Sequence, residues 1–403
     1  MVQPNRDLSS PLGVLEAAAD AGVHLLSAGG EVSRVEDTMI RITSGLGIES
    51  VEAAVFPTVI FLSAPGATLM RRVRRRSVNL AVVARVNQLS RDLAEHRIDL
   101  GVFREQLGLI STMKRYAGWQ TTVVAALAGG MLCQLVGGRW YDFFPAMLAG
   151  ALAHIVRQRP GSLNDSLKDF MAAVAAVIPG LVAAQWSLFH PGTIIVGGDY
   201  GVSAGHGHHQ CHSRRYRRGC GVLGIESIGG LVNRGGGGRR SGLATQFVPC
   251  PGRALAMIRA VLLAGLTAFA FGIMYQVSAR MVAVSAVIAA LAWAAYRGLT
   301  GSFGGSSGWP EFLGALTVGV LAELAALVYK QPALVFQVPA IIPFVPGYLL
   351  YESMLSFLRN QFLVGLERGL RALLLAAALS LGLALATAGM RALRRQGHRA
   401  HEG

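Results

Sequence analysis

The run Phe312–Tyr329, FLGALTVGVLAELAALVY, contains one ionisable side chain, Glu323, among otherwise apolar or small residues. Its length is close to the roughly 20 residues that a helix needs to cross a bilayer. The composition of the chain agrees, because 52% of the 403 residues are hydrophobic and 15% are charged. A soluble domain carries about a quarter charged residues. We therefore predict an integral membrane protein.

Further runs of the same character follow along the chain and predict an all-α polytopic fold. They are rich in Ala, Gly and Leu, which let membrane helices approach one another closely. Another run starts at Thr193–Gly198 and then stops. The eight spans evident in the sequence are Trp119–Leu135, Phe143–Val156, Phe170–Trp186, Ala254–Tyr275, Met281–Tyr296, Phe312–Tyr329, Val335–Phe357 and Gly369–Met390.

Basic residues are concentrated beside the apolar runs, chiefly at 71–76, 157–159 and 391–399, and the net charge is +15. Lys and Arg accumulate in the cytoplasmic loops of membrane proteins. This bias predicts a multi-pass protein of the cell (inner) membrane with both termini in the cytoplasm, which requires an even number of spans. It also explains the charge without nucleic acid, so we expect no nucleic-acid partner.

Residues 1–116 are more polar and predict a small cytoplasmic α(+β) domain. Ser33 precedes Glu36 by three residues, the spacing of a capping box, which predicts a helix starting there. The β-branched and aromatic stretch 50–62 predicts a pair of short strands. The arginines of 71–76 are expected in a solvated turn.

The remainder of the chain divides into three regions. We predict a first membrane half at 117–253, a second membrane half at 254–391 and a basic cytoplasmic tail at 392–403. The anomalous segment 199–242 lies in the first half.

This segment, DYGVSAGHGHHQCHSRRYRRGCGVLGIESIGGLVNRGGGGRRSG, is basic and rich in His and Gly. It contains zinc-ligand residue types, without a fixed ligand spacing. A His codon read one base out of phase encodes mostly Ile, Met or Thr, and the common Arg and Gly codons yield Gly, Ala, Val, Asp or Glu. The residues of the apparent metal cluster are His206, His208, His209, Cys211 and His212.

The displaced phase restores membrane-like sequence. Over 198–214 it permits GIMALVPGMAITNAIRD, and it permits a second apolar run opposite 227–238. We therefore predict a compensated frameshift and no metal site, with about 10 transmembrane helices in the restored phase. Translated in the present phase, the chain is expected to misfold or to be inactive. Resequencing of the DNA tests this.

A broken helix is predicted around Pro339, Pro343, Pro346 and Gly347, followed by Tyr351. Prolines inside a span remove backbone donors and unwind the helix. Freed carbonyls in a membrane are tolerated where protein or a water-filled cavity meets them. The displaced phase adds an LVPG in the first half, a counterpart of the FVPG at Phe344–Gly347, which favours two related halves and a substrate path. The alternative is a kinked structural helix.

Charged residues supply further candidates. Ionisable groups within a membrane usually mark a proton or substrate path, so Glu323 and Glu352 are candidates for proton coupling. The alternatives are a structural hydrogen bond for Glu323 and a place near the interface for Glu352. Arg34, Glu36 and Asp37 are candidates for coupling the N-terminal domain to the membrane core, or else form an ion pair on a helix surface.

Four motifs resemble those of the threonine/serine exporter family. They are LLSAGGE at Leu25–Glu31, RVEDT at Arg34–Thr38, FPT at Phe56–Thr58 and VPAIIPFVPG at Val338–Gly347. The resemblance covers nearly the whole chain outside 199–250. It implies a cytoplasmic N-terminal domain, about ten membrane helices, and export of small hydroxy amino acids driven by the proton-motive force.

We therefore expect a secondary transporter that exports threonine or serine by proton antiport. Its partners would be the lipid bilayer, the amino acid and protons, and a homo-oligomer is compatible with the sequence. The alternatives are export of another small metabolite such as a dicarboxylate, and a membrane sensor or scaffold that does not transport. Neither a nucleophile–base pairing nor a phosphate loop indicates an enzyme, and we expect no cofactor.

Overall fold

The described residues fold into a helical assembly with one small sheet near the N-terminus. The computed structural model of the chain describes residues 10–48, 50–73, 78–110, 116–159, 165–186, 188–198, 251–303 and 308–402. Residues 10–110 form an N-terminal unit, and the later helices form the membrane part.

The N-terminal unit packs helices against one face of an antiparallel sheet with strand order β1-β2-β3. Ser10 begins the first helix by accepting a hydrogen bond from Gly13 N at 3.2 Å, with Pro11 in the first turn, a favoured helix start. Gly29, at a φ of 87°, follows its end. The elements are α1 (Pro11–Ser27), α2 (Val32–Gly45), β1 (Glu52–Phe56), β2 (Val59–Ala64), β3 (Ala67–Arg72), α3 (Leu80–Ala94) and α4 (Leu100–Ile110).

The sheet explains one success and one error of the sequence prediction. The strand pair expected in 50–62 is present as β1 and β2. A third strand was missed, and it includes Arg71 and Arg72, so their assignment to a solvated turn is wrong. The side chains of β3 alternate between half-buried and exposed. Both arginines can therefore reach solvent while their backbone stays paired in the sheet.

The capping box predicted from Ser33 and Glu36 is also wrong. The N-cap of α2 is Glu31, without a side-chain capping bond, and Ser33 lies inside the helix. The Glu36 Oε1 atom accepts a hydrogen bond from the backbone N–H of Val55 in β1 at 3.0 Å. Glu36 therefore binds a backbone N–H of β1 and not the N–H at the start of its own helix, as a capping box would require.

The membrane part contains a helix at each of the eight predicted spans. One span is split into two helices, and one short helix starts at Pro191. The elements are α5 (Gly118–Leu135), α6 (Phe143–Gln158), α7 (Asp165–Ala183), α8 (Pro191–Gly198), α9 (Pro251–Met274), α10 (Ala279–Phe303), α11 (Trp309–Tyr329), α12 (Leu334–Ile341), α13 (Gly347–Leu358) and α14 (Phe362–Glu402).

Length and apolar composition support only part of the predicted span count. Four helices in the described ranges, α9, α10, α11 and α14, can cross a membrane, and α12 with α13 makes a fifth if the bent pair is one span. In the first half α6 has 16 residues, and α7 opens with three charged residues within five positions. The segment 199–242, its predicted frame and the His cluster lie outside the described residues. Helix α14 continues to Glu402, past residue 392, where the basic tail was expected to begin.

Helices α5 and α9 run antiparallel. Near the start of α5, Tyr116 donates hydrogen bonds from its N–H to Gln276 Oε1 at 2.9 Å and from its hydroxyl to Val277 O at 3.0 Å, just beyond the end of α9. At the opposite end, Gln134 of α5 accepts a hydrogen bond from Arg259 of α9. The helices that open the two halves therefore start on opposite sides.

The N-terminal unit sits against the end of the membrane part where α9 and α11 finish. The N–H of Leu80 donates to Tyr275 O at 3.0 Å, and Arg91 donates to Lys330 O at 2.6 Å. Buried apolar residues form one continuous cluster from the unit into the second-half helices. The two parts therefore share a core.

Candidate substrate path

The backbone is interrupted between α12 and α13. A short 3-10 turn, Ile342–Phe344, follows α12, and Val345 is extended with ψ of 128°. The two helices meet at an angle of 43°. Pro339 and Pro343 are buried on the first side of the break, and Gly347 is buried where α13 begins. The broken helix predicted from the Pro-Gly motif is confirmed.

One freed carbonyl at the break has a partner from another helix. Pro339 has no N–H, so the carbonyl of Val335, four residues earlier, lacks its helical donor. The hydroxyl of Ser285 in α10 lies 3.4 Å from this oxygen, and it also donates to Met281 O at 2.9 Å. Ser285 is fully buried. The unwound backbone is therefore met by protein, as a membrane interior requires.

An aromatic cluster packs around the break. The ring of Phe344 lies 5.1 Å from Trp293 and 5.8 Å from Tyr296, centroid to centroid. Gly314 of α11 faces Phe344, and a Cβ added there would be 2.8 Å from the ring. The absent side chain thus makes room for the aromatic one.

Two buried donors near the break were missed by sequence reasoning. Trp293 contacts Phe344, and Gln337 lies in α12 two residues before Pro339. Within the described parts of the chain, no group accepts a hydrogen bond from Trp293 Nε1 or Gln337 Nε2. An unpaired buried donor costs free energy, so both are candidates to bind a polar ligand. Neither belongs to a sequence motif.

Tyr351 joins the two membrane halves. A Cβ added to Gly192, at the start of α8, would lie 3.4 Å from Tyr351 Cε1 and 3.8 Å from its hydroxyl. Tyr351, a residue of the predicted path set, is therefore in close contact with a first-half helix.

Glu352 is part of a local polar network. Its Oε2 atom lies 3.6 Å from Arg368 Nε, and it shares a hydrogen bond with Tyr348. Arg368 also donates to Ser356 Oγ at 3.0 Å. Both members of the ion pair are partly exposed, which agrees with the interface alternative as well as with the path.

Glu323 is 7% exposed and lies near the end of α11 that meets the N-terminal unit. Arg34 of α2 is close enough to interact electrostatically with Glu323 and with Glu31. Burial lowers the pKa of Arg34, and the two carboxylates oppose that shift. In the described residues, Arg34 Nε has no hydrogen-bond acceptor. The structure thus brings together one proton-coupling candidate and one domain-coupling candidate.

Within the described ranges, the other two domain-coupling candidates form no hydrogen bond or ion pair with a membrane helix. Glu36 binds Val55 N within the N-terminal unit. Asp37 is exposed and raises the pKa of Arg41, which burial and the nearby Arg91 lower. Arg34 is the candidate of the three whose charge interacts with a described membrane helix, through Glu323.

A second buried carboxylate was missed by sequence reasoning. Asp142 is 0% exposed and lies between α5 and α6. It accepts backbone hydrogen bonds from Arg139 N at 2.7 Å and His190 N at 2.9 Å, and its Oδ2 atom lies 3.4 Å from His190 Nδ1 and 3.5 Å from Thr193 Oγ1. Asp142 therefore holds the start of α8, beside the glycine that meets Tyr351.

Metal chemistry has no support in the described ranges, where no cluster of three His, Cys, Asp or Glu side chains could hold an ion. The sequence cluster at 206–212 falls outside those ranges.

Similarity to known proteins covers most of the chain. A family model described as "Putative threonine/serine exporter" matches residues 16–199, and a second, "Threonine/Serine exporter, ThrE", matches residues 260–388. The chain belongs to the threonine/serine exporter family. One polypeptide thus contains both of the regions that these two family models describe.

Three relatives agree with membership of this exporter family. A "Probable threonine/serine exporter" of Mycobacterium tuberculosis is 26% identical over 385 residues, covering 89% of this chain and 72% of the relative. A "Probable succinate transporter subunit YjjP" of Klebsiella aerogenes is 27% identical over 184 residues, 44% of this chain and 70% of the relative. Its Escherichia coli counterpart is 25% identical over 178 residues, which cover 42% of this chain and 68% of the relative. No solved structure matches the chain.

Family membership and the apolar helices make this chain a multi-pass membrane protein of an exporter family. Its relatives are transporters and not enzymes, in agreement with the sequence prediction.

Proposed function

We propose that the protein exports threonine or serine by proton antiport. The observation that carries the proposal is the buried break between α12 and α13, in a chain of the exporter family. Broken helices near the midplane bind substrate in many secondary transporters. Pro339, Pro343, Pro346, Gly347 and Tyr351 would line the substrate path.

The break offers groups that suit a zwitterionic hydroxy amino acid. The N-terminus of α13 at Gly347 is the positive end of a helix dipole and would attract the carboxylate. Backbone carbonyls freed by the prolines would accept the ammonium group. The unpaired donors of Trp293 and Gln337 would bind the hydroxyl or a carboxylate oxygen. The site would therefore select a substrate by its two charged groups and by its hydroxyl group.

For proton coupling we propose Glu323 ahead of Glu352. Glu323 is buried and interacts electrostatically with Arg34 of the N-terminal unit, so its charge state can affect two parts of the protein. Glu352 is already held by Arg368 and Tyr348.

We further propose the domain scheme predicted from the sequence: a cytoplasmic N-terminal domain at 1–116, membrane halves at 117–253 and 254–391, and a basic cytoplasmic tail at 392–403. Both termini would face the cytoplasm across the inner membrane. The opposite directions of α5 and α9 support halves related by inverted topology. The frame change at 199–242 remains a prediction that resequencing tests.

The test is efflux of labelled threonine from proteoliposomes with an imposed proton gradient. The gene should be expressed in both phases of 199–242. We expect uphill efflux from the restored phase, its collapse with an uncoupler, and loss of coupling in Glu323→Gln. Asp169→Asn is a matched control, because Asp169 pairs with Arg157 while both are more than half exposed. Efflux that ignores the gradient would refute antiport.

A second candidate substrate is a dicarboxylate. The observation that favours it is the printed name of the two succinate transporter subunits, whose similarity to this chain covers less than half of it. Competition by unlabelled succinate, threonine and serine in the same vesicles separates the two. Succinate competing better than threonine would assign the dicarboxylate.

A further inference from the structure

Asp142 places a carboxylate where water does not reach. It is 0% exposed and lies in the turn between α5 and α6. The backbone N–H groups of Arg139 and His190 donate to it at 2.7 and 2.9 Å. These bonds solvate a carboxylate but carry no full positive charge. A buried ion is costly unless a counter-charge compensates it, so Asp142 requires a cation.

The ring of His190 supplies this cation when it holds a proton. Its Nδ1 atom lies 3.4 Å from Asp142 Oδ2 and is buried without a hydrogen-bond partner in the described residues. No lysine or arginine within the described ranges forms an ion pair with Asp142. Histidine is the side chain that ordinarily binds and releases a proton between about pH 5 and 8. The charge balance at the buried carboxylate therefore depends on a proton.

The charged groups on neighbouring elements are bound elsewhere or lie far away. The Arg139 guanidinium donates to Leu188 O at 3.4 Å, and on α13 the Glu352 carboxylate pairs with Arg368. The thiol of Cys133 in α5 donates to Asp142 O at 3.7 Å and adds no positive charge. The titratable side chains described on α6 and α7 begin about 17 Å along α6 from Asp142. They are His154, Arg157, Arg159, Lys168 and Asp169.

The pair lies at the end of the membrane part that is away from the N-terminal unit. Helix α5 starts beside Tyr116, which bonds to Val277 O, and Leu80 of the N-terminal unit bonds to Tyr275 O at the same end of α9. Cys133, which contacts Asp142, is about 22 Å further along α5. Because 44% of the His190 side chain is exposed, its proton exchanges with water on that opposite side.

The pair also fixes the first turn of α8. His190 donates its N–H to Asp142, and its carbonyl accepts hydrogen bonds from Thr193 N at 3.2 Å and Thr193 Oγ1 at 2.9 Å. Gly192, in the same turn, lies against Tyr351 of α13. If His190 loses its proton, water must enter to solvate Asp142, and this turn loosens.

We propose that Asp142 and His190 form a proton-binding site that holds the start of α8 against Tyr351 when it is occupied and releases it when it is empty. The contact between the two membrane halves then responds to the pH on the side opposite the N-terminal unit. This inference rests on the fold and is independent of the transported substrate and of the direction of transport.

The test is hydrogen–deuterium exchange, measured by mass spectrometry on the full chain in nanodiscs. Peptides that cover 188–198 report on α8, and their exchange is corrected for the intrinsic pH dependence of amides. We expect protection of α8 to be at least about threefold greater near pH 5.5 than near pH 8, since local opening sets the exchange rate. Peptides from α5 are the internal reference and should keep their protection.

Substitutions at 190 fix the charge in opposite states. His190→Arg keeps a cation beside Asp142 at every pH, so protection of α8 should stay at the level that the parent chain has in acid. His190→Gln removes the cation, so protection should stay at the alkaline level. Asp142→Asn removes the buried charge and should also abolish the pH response.

His96→Asn is the matched control and should keep the pH response of α8. His96 is exposed in the N-terminal unit, and asparagine tolerates its φ of 55°. Size-exclusion profiles verify that each variant folds.

Three results would overturn the proposal. The first is a parent chain whose α8 protection does not change with pH, and the second is a pH response that persists in His190→Gln. The third is an equal loss of protection in His190→Arg and His190→Gln, which would assign His190 a purely structural role at the start of α8.

Discussion

Arg34 of α2 and Glu323 of α11 interact electrostatically across the boundary between the N-terminal unit and the membrane helices. They are separated by 289 positions in the chain, yet their charges interact in the folded structure. Arg391 of α14 lies 3.8 Å from Glu31 on the same side. A change of charge on Glu323 would therefore alter the electrostatic energy of Arg34 in the N-terminal unit.

Arg34→Gln and Glu323→Gln should act non-additively. We expect a coupling of about 0.5–3 kcal/mol in a double-variant cycle of thermal unfolding, since interacting residues fall in this range. Asp37→Asn, exposed on the same helix, should be additive with Glu323→Gln. Additivity of the Arg34 pair would remove the charge link.

Glu352→Gln should retain proton-coupled efflux, in contrast to Glu323→Gln. The change removes one charge of the pair with Arg368, and partly exposed pairs contribute about 0.2–1 kcal/mol. We therefore expect a small fall in stability and a pH profile of efflux like that of the original chain. If Glu352→Gln alone abolishes coupling, the order of the two candidates is reversed.

Gly314→Ala should impair both packing and transport. Its Cβ would lie 2.8 Å from the Phe344 ring, so the ring must move and the break between α12 and α13 with it. Overpacking costs about 1–3 kcal/mol. Gly298→Ala in α10 is the control, because its Cβ would meet nothing within 4 Å. Equal thermal stability and efflux for the two variants would contradict the assigned role of Gly314.

Asp142→Ala should destabilise the first half more than Asp142→Asn. Alanine leaves the N–H groups of Arg139 and His190 without their acceptor, at about 1–3 kcal/mol for each buried donor. Asparagine retains one acceptor oxygen. Because Asp142 holds the start of α8, we also expect weaker substrate binding in Asp142→Ala, measured as a raised KM for efflux. If the two variants have the same stability and the same KM for efflux, the Asp142 carboxylate does not position α8.

The stability of the N-terminal unit should fall as the pH drops below the ordinary His24 pKa of 6.5. Burial lowers the pKa of His24, with Asp20 opposing, so the unfolded state takes up the proton first. The stabilising effect is full above pH 6.5 and is lost as the pH falls through the folded value. His24→Gln should weaken the pH dependence of thermal unfolding. An unaltered pH dependence in this variant would show that protonation of His24 is not its cause.

Much of the site followed from the chain because its signals are local. Pro339, Pro343 and Pro346 remove backbone donors wherever they stand, so the broken helix could be predicted before any contact was known. Trp293, Gln337 and Asp142 could not, because a buried tryptophan, glutamine or aspartate becomes a candidate only when its neighbours are seen to leave it unpaired or to hold it.

The errors have the same origin. The spacing of Ser33 and Glu36 satisfies the capping box, but Val55 N, 19 residues from Glu36, supplies a better-placed donor. Arg71 and Arg72 look like a solvated turn by composition, and pairing with β2 makes them strand residues.

The sequence by itself determined the membrane class, the positions of eight helices and the break at the Pro-Gly motif. These follow from hydropathy over one span and from prolines without N–H groups, both properties of neighbouring residues. Only the tertiary structure decided that Arg34 interacts with Glu323, that Asp142 holds the start of α8, and that Tyr351 lies against Gly192. Those contacts join residues far apart in the chain, and their geometry depends on how whole helices pack.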